Sequence, residues 1–226
     1  RNSLDKQMIF ELDNVELYFK NKRILNGIYL KAETGEVTAI LGRNGCGKSC
    51  LLNIAFGNLK PKYMLVRLDS KPLLKPLYST GIAIYLPQYN FIPGDMTLSF
   101  VFKLYAIDWA IFIESFEAFS IYKNVRFNAL SGGERRIIET YIILKTKSQI
   151  VFLDEPFSHL SPLHIETVKQ LIQEEKKEKA IIISDHMYQH IIEASDHIYL
   201  LNNGSTKKIE KLTELEDYKY LSEGTL

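Results

Sequence analysis

Gly42-Arg43-Asn44-Gly45-Cys46-Gly47-Lys48-Ser49 is the stretch whose residue types and spacing point most directly to chemistry. Glycines at this spacing let backbone N–H groups turn inward with no Cβ in the way, which makes a cradle for anionic oxygens. The lysine supplies a cation for β- and γ-phosphates, and the neighbouring serine hydroxyl is a ligand for Mg²⁺. Such a loop belongs between a strand and a helix, because the helix N-terminus adds roughly half a positive charge to the cradle. Both flanks are present: Val37–Leu41 is an unbroken apolar run suited to a buried parallel strand, and a helical pattern with Leu51, Leu52, Ile54 and Ala55 begins at Lys48. Cys46 and Cys50 read as a loop position and a helix position of this unit, with metal binding or redox sensing as the alternative.

Two further stretches carry chemistry. Ile150-Val151-Phe152-Leu153-Asp154-Glu155 is an apolar strand ending in two carboxylates. Beside Mg²⁺ and a nucleoside triphosphate, Asp154 would hold the metal's water shell and Glu155 would polarise the attacking water, general-base help typically worth ~10²–10⁴-fold. Alone, such an ending is as often a helix cap or a turn; its place downstream of a complete phosphate loop gives it chemistry. In Leu130-Ser131-Gly132-Gly133-Glu134-Arg135-Arg136, Ser131 and Glu134 form a capping box at a helix start. Adjacent glycines behind the cap leave backbone N–H groups exposed at a positive helix end, which is a second anion site. A chain with its own phosphate loop has use for a second one if it serves the nucleotide of a partner subunit.

The elements that must position these residues follow from periodicity. Met8–Leu12 and Val15–Phe19 alternate like strands, with Asp13-Asn14 as the turn between them; Ile28–Ala32, Val66–Leu68 and Ile82–Leu86 are further short strands. A helical, Phe-rich pattern runs from Met96 to Ile121, and a helix from Gly132 to Lys145. Strands at Ile150–Leu153, Ala180–Ser184 and Ile198–Leu201 are separated by helical Pro162–Glu178 and Met187–Ala194, and Asn202-Asn203-Gly204 is a hairpin turn. Alternating strands and helices predict a mostly parallel α/β sheet. The expected domain is 8–226, with a core at about 8–88 and 146–204 and an inserted helical lobe at about 89–145. Arg1–Gln7 reads as a tag remnant or an upstream extension, with Met8 as a candidate start. The net charge of +1 argues against nucleic acid as a partner, two cysteines without a paired framework point to a reducing cytosol, and no apolar run approaches the ~20 residues of a membrane-spanning helix.

In this order the motifs resemble the ABC transporter nucleotide-binding domain family, with similarity from about Phe10 to Asn203; Leu-Ser-Gly-Gly-Glu after a phosphate loop is the most discriminating element. The resemblance implies an α/β P-loop NTPase fold of ABC type: a mostly parallel core sheet, N-terminal antiparallel strands and an inserted helical lobe. It implies ATP and Mg²⁺ as cofactors. It also implies a head-to-tail dimer, with a second copy or a paralogous subunit, in which each ATP is pressed between the phosphate loop of one subunit and Ser131, Gly132 and Gly133 of the other. Asn44, Gly45, Cys46, Gly47, Lys48, Ser49 and Cys50 then hold the nucleotide, and Ser49, Gln88 and Asp154 serve the metal. Gln88, in Leu86-Pro87-Gln88, reaches Mg²⁺ and the attacking water, and His186, in Ile183-Ser184-Asp185-His186, contacts the γ-phosphate. An aromatic stacks on adenine; spacing favours Phe19, with Tyr18 the alternate and a strand-core aromatic the plain reading.

The chain departs from the family pattern at Ser161, where an Asp that helps the two subunits sense each other is usual, and this puts dimer coupling rather than ATP binding in doubt. Among Phe91, Phe100, Phe102, Tyr105, Trp109 and Phe112, some are expected to line a groove for a membrane partner and most to be lobe core. His186 and His190 share a helical spacing that would suit zinc, a use the family match disfavours. The leading expectation is a cytoplasmic ATP-hydrolysing subunit, peripheral on the inner face of the cell membrane, powering membrane-spanning subunits on another chain. The alternatives are a soluble ATPase acting on a protein scaffold, as in iron–sulfur assembly, or a weakly active ATP-binding subunit.

Overall fold

Continuous apolar runs make the centre of the molecule, seen here in a computed structural model that describes residues 7–225. Residues 1–6, most of the stretch read as a tag or extension, lie outside the described residues, as does residue 226. β3 (Val37–Leu41), β7 (Ile150–Asp154) and β8 (Ala180–Ser184) are buried at every position, as strands covered on both faces must be. With β6 (Ala83–Leu86), β9 (His197–Asn202) and β10 (Ser205–Ile209) they form a six-stranded sheet in the order β10-β9-β3-β8-β7-β6. All neighbours are parallel except β10, which returns antiparallel to β9. Asn203 and Gly204 turn that hairpin with φ of 50° and 80°, the pair of positive angles a two-residue turn of this hand needs.

A second, antiparallel sheet joins β1 (Ile9–Phe19), β2 (Lys22–Glu33), β4 (Tyr63–Leu68) and β5 (Lys71–Pro72) in the order β2-β1-β4-β5. Here Asp13-Asn14 do not turn the chain as the sequence suggested. β1 runs through them, with Asn14 at φ 51° where the register against β2 shifts. Asparagine tolerates the left-handed conformation, and a bulge lets the strand continue between two partners.

The six-stranded sheet is a wall between two apolar layers. Ile40, Ile150, Phe152 and Ile182 face α1 (Lys48–Phe56) and the antiparallel sheet, where Phe10 meets Phe152 edge-on at 5.8 Å. The alternating residues Leu41, Val151, Leu153 and Ile183 face the other layer, built with the aromatics between β6 and β7. There the expected helical run is interrupted into α2 (Leu98–Leu104), α3 (Trp109–Ser115) and a 3₁₀ turn (Glu117–Tyr122). Ala106 at φ 54° breaks the run, and Asp108 caps α3 by accepting from the Ala110 N–H at 2.7 Å. Phe102 and Phe112 are buried, Phe91, Tyr105 and Trp109 pack against them part-buried, and Phe100 is exposed. α4 (Gly132–Lys145) is buried continuously from Arg136 to Leu144, so it runs as the axle between this aromatic cluster and the sheet. α5 (Pro162–Glu175), α6 (Tyr188–Ala194) and a short α7 (Glu214–Asp217) complete the chain. Among the described residues, no helix is long and apolar enough to cross a membrane.

Candidate functional site

In an open parallel sheet the chemistry gathers outside the carboxyl ends of the strands, and the motif residues lie there. β3 delivers Gly42, β6 is followed by Pro87 and Gln88, β7 ends at Asp154 before Glu155, and β8 is followed by Asp185 and His186. Asn44, Gly45, Gly47, Lys48, Ser49, Cys50, Gln88, Glu155 and His186 line one cavity of about 510 Å³. The buried Lys48 ammonium donates to the Gly42 carbonyl at 2.8 Å and the Arg43 carbonyl at 3.2 Å, which folds the loop over the N-terminus of α1. Gly47 caps that helix at φ 108° with no side-chain bond, so no side chain takes up the N–H groups at the helix start. Cys46 turns away into a neighbouring cavity with Arg43, Tyr218 and Tyr220. Burial raises the thiol pKa of both Cys46 and Cys50, which makes them poor nucleophiles.

Gly42 has a packing reason of its own. A Cβ there would stand 2.6 Å from Cys46 Sγ and 2.7 Å from the Leu201 carbonyl. Gly42→Ala is expected to destabilise the fold by about 1–3 kcal/mol through overpacking, read as a lower urea midpoint, with weakened nucleotide affinity.

Asp154 lies buried at the floor. Its Oδ2 accepts from the Tyr85 hydroxyl at 3.1 Å, which in turn accepts from Asn53 at 3.1 Å. Burial pushes its carboxyl up, against the pull of hydrogen bonds from Ser49 and Tyr85. Its Oδ1 is buried with no hydrogen-bond partner. A desolvated carboxylate oxygen beside a serine hydroxyl is a donor set that fits a small hard cation such as Mg²⁺. Glu155 has a φ of 54°, a conformation that costs a residue with a side chain about 1–3 kcal/mol and clusters at working sites. Its N–H donates to the Ser184 carbonyl at 2.6 Å, and its Oε2 accepts from the Ser158 hydroxyl at 3.1 Å. His186 Nδ1 stands 3.8 Å from that same Oε2. Since α6 starts at Tyr188, His186 sits in the preceding turn and not on one helix face with His190.

Ser131, Gly132 and Gly133 are not in this cavity. The capping box is complete, with Ser131 Oγ accepting from the Glu134 N–H at 3.3 Å and Glu134 accepting from the Ser131 N–H at 2.7 Å. The two glycines differ. A Cβ on Gly132 would meet nothing within 4 Å, whereas one on Gly133 would stand 2.5 Å from the His159 carbonyl. Gly133 therefore admits the Ser158–Ser161 loop of its own chain. Ser161 caps α5, its Oγ accepting from the His164 N–H at 3.4 Å. Phe19 is about half exposed at the β1–β2 turn, three residues before Lys22, which lines the neighbouring cavity. Its alternate, Tyr18, bonds Glu16 and lies under Lys62.

Sequence reasoning missed Tyr85, Asp185, Arg136 and Glu139. Buried Asp185 accepts from the N–H groups of Phe157 and Met187, both at 3.0 Å, holding the loops after β7 and β8 together. The available signal was Glu139: a carboxylate inside the apolar run Ile137–Leu144 needs partners.

A phosphate loop at the carboxyl end of a central parallel strand, carboxylates at the end of β7 two strands away, and a helical insert between them in the chain define a P-loop nucleotide-binding cassette. A family model for the ABC transporter matches residues 25–158. The energy-coupling factor transporter ATP-binding protein of Methanococcus maripaludis is 33% identical over 81% of this chain and 72% of its own length. The arabinose import ATP-binding protein of Mannheimia succiniciproducens is 31% identical over 86% of this chain, which spans only 42% of that relative. A solved ATP-binding subunit of an ABC transporter superposes with a TM-score of 0.80 at 20% identity over 94% of each chain. The chain belongs to the ABC transporter family. It has the family's α/β cassette fold, with a parallel core sheet and an antiparallel N-terminal sheet, and ATP-binding members of this family hydrolyse ATP to power transport.

Proposed function

We propose that this chain is the ATP-hydrolysing subunit of a membrane transporter, working as one half of a head-to-tail dimer. One observation carries the dimer: Ser131 and Gly132 form an exposed, open helix start that is not part of their own chain's phosphate cavity. The two anion sites of one molecule are then used by pairing with a second copy or a paralogue. In each composite site Asn44–Cys50 bind the phosphates, with Ser131, Gly132 and Gly133 of the opposite subunit closing over the γ-phosphate. Ser49, Asp154 and Gln88 would hold Mg²⁺, which when bound supplies positive charge to the β- and γ-phosphates. Glu155 orients and deprotonates the attacking water, His186 stabilises the γ-phosphate, and Phe19 stacks on the base. The orphaned Asp154 Oδ1 supports the metal assignment.

A membrane-spanning partner on another chain would dock on the helical insert, where Phe100 and Leu104 are exposed, and hold this subunit at the inner face of the membrane. Cross-linking a tagged chain in native cells in the presence of ATP tests this reading. The expected result is a membrane-spanning protein, lost when Phe100 and Leu104 are replaced by Ser. Recovery of a soluble scaffold alone would overturn the transporter role and leave the ATPase chemistry standing.

A further inference from the structure

Arg136, at the end of the Leu130–Arg136 stretch, and Glu139 are buried charges that the capping box and the two glycines do not explain. The Arg136 guanidinium donates through Nη1 to the Pro87 carbonyl at 2.7 Å, through Nε to the Glu155 carbonyl at 3.0 Å, and through Nη2 to the Asp154 carbonyl. One turn on, Glu139 Oε1 accepts from the N–H groups of Phe91 at 2.7 Å and Ile92 at 3.1 Å. Its Oε2 stands 4.0 Å from Arg136 Nη1. Burying such a pair is costly, and apolar residues of the same size often stabilise a fold equally well. What this pair does that apolar residues cannot is bond backbone atoms, and those atoms bracket the segment that carries Gln88. Residues 88–90 are exposed between Pro87, gripped by Arg136, and Phe91, gripped by Glu139.

We propose that Arg136 and Glu139 are positioning residues for hydrolysis. They fix both ends of the Gln88 loop and join it to the strand end bearing Asp154 and Glu155. α4, which carries them, is the helix that starts at Ser131–Gly133. A shift of that helix start on meeting a second subunit's nucleotide is passed by two side chains to Gln88, Asp154 and Glu155 together. Neither residue lines the phosphate cavity, so removal of the pair acts on turnover and not on ground-state binding. This inference rests on the reading of Gln88 and Glu155 as the groups around the attacking water.

The test uses the full chain. Arg136→Lys keeps the charge but cannot span three carbonyls, and it is expected to lower kcat by about 10- to 10²-fold while KM for ATP stays within about twofold. Glu139→Leu is expected to do the same and to speed amide exchange at Phe91 and Ile92 about tenfold, as a locally opened loop does. Glu139→Gln, whose amide oxygen accepts the same two N–H bonds, should recover kcat to within about threefold and restore the exchange protection. An unchanged kcat in folded Arg136→Lys, or a Gln variant as slow as the Leu variant, would overturn the proposal. If Glu139→Leu does not fold, Arg136→Lys and Glu139→Gln decide it. If the wild-type chain turns over no ATP, the hydrolysis reading fails instead. Exchange at Phe91 and Ile92 in Glu139→Leu and Glu139→Gln then judges the clamp by itself, and a Gln variant that exchanges as fast as the Leu variant would overturn it.

Discussion

Glu155→Gln is expected to bind Mg²⁺-ATP like the wild type, to lose turnover by about 10²–10⁴-fold, and to accumulate as a dimer when ATP is present. The geometry makes this a clean substitution. Gln keeps the size of the side chain and can still accept from the Ser158 hydroxyl, 3.1 Å from Oε2. The main-chain bonds that hold the residue at its left-handed φ, from its own N–H to Ser184 and from Arg136 to its carbonyl, do not involve the side chain. What is lost is the negative charge beside His186 and the capacity to take a proton from water. Binding is carried by the loop from Asn44 to Ser49, which Glu155 only faces across the cavity, so affinity is retained. Phosphate release by rapid quench and size-exclusion chromatography with and without ATP give the two readouts. Turnover at the wild-type rate would remove Glu155 from the role of base.

Ser131→Arg has the second-largest expected effect, and it tests the composite site. Ser131 is exposed and its hydroxyl caps α4 at 3.3 Å. Losing an N-cap costs about 0.5–2 kcal/mol. A helix buried from Arg136 to Leu144 absorbs that, so the fold survives. The arginine instead fills the space over Gly132 that a second subunit's phosphates would enter. The expected outcome is ATP binding to the isolated chain within about twofold of wild type, no ATP-dependent dimer, and hydrolysis lower by about 10²-fold or more, the scale of losing an oriented transition-state donor. A loss of nucleotide binding by the monomer would instead place Ser131 in its own chain's site and sink the head-to-tail arrangement.

Several parts of this molecule were decided locally and were therefore legible in one dimension. The loop from Gly42 to Ser49 is readable because phosphate binding by backbone N–H groups demands glycine, and charge neutralisation demands Lys48. The strands at Val37–Leu41, Ile150–Asp154 and Ala180–Ser184 are readable because burial on both faces requires unbroken apolar runs. Asn203-Gly204 is readable because few residue pairs accept two positive φ angles. The capping box at Ser131 is equally local.

Tertiary structure decided the rest. Asp13-Asn14 has turn-forming residues but lies in a strand, because pairing with β2 on one side and β4 on the other outweighs the local preference of Asn14. The Met96–Ile121 pattern is helical throughout, yet packing of Phe102, Phe112 and Phe116 around Tyr141, with Phe119 against Phe112, requires the chain to bend back at Ala106. The need for glycine at 133 comes from a carbonyl 26 residues away at His159. Arg136 looks like an ordinary polar residue of a helix start, and Glu139, set in an apolar run, signals only that it needs partners; the fold alone shows that those partners are backbone atoms of Pro87, Phe91, Ile92, Asp154 and Glu155. Residue types declare the chemistry a segment is capable of, because that is set by its own atoms. Which backbone groups a buried charge must satisfy, and which motif residues line one cavity, depend on contacts between segments distant in the chain, and those exist only once the sheet and α4 have been assembled.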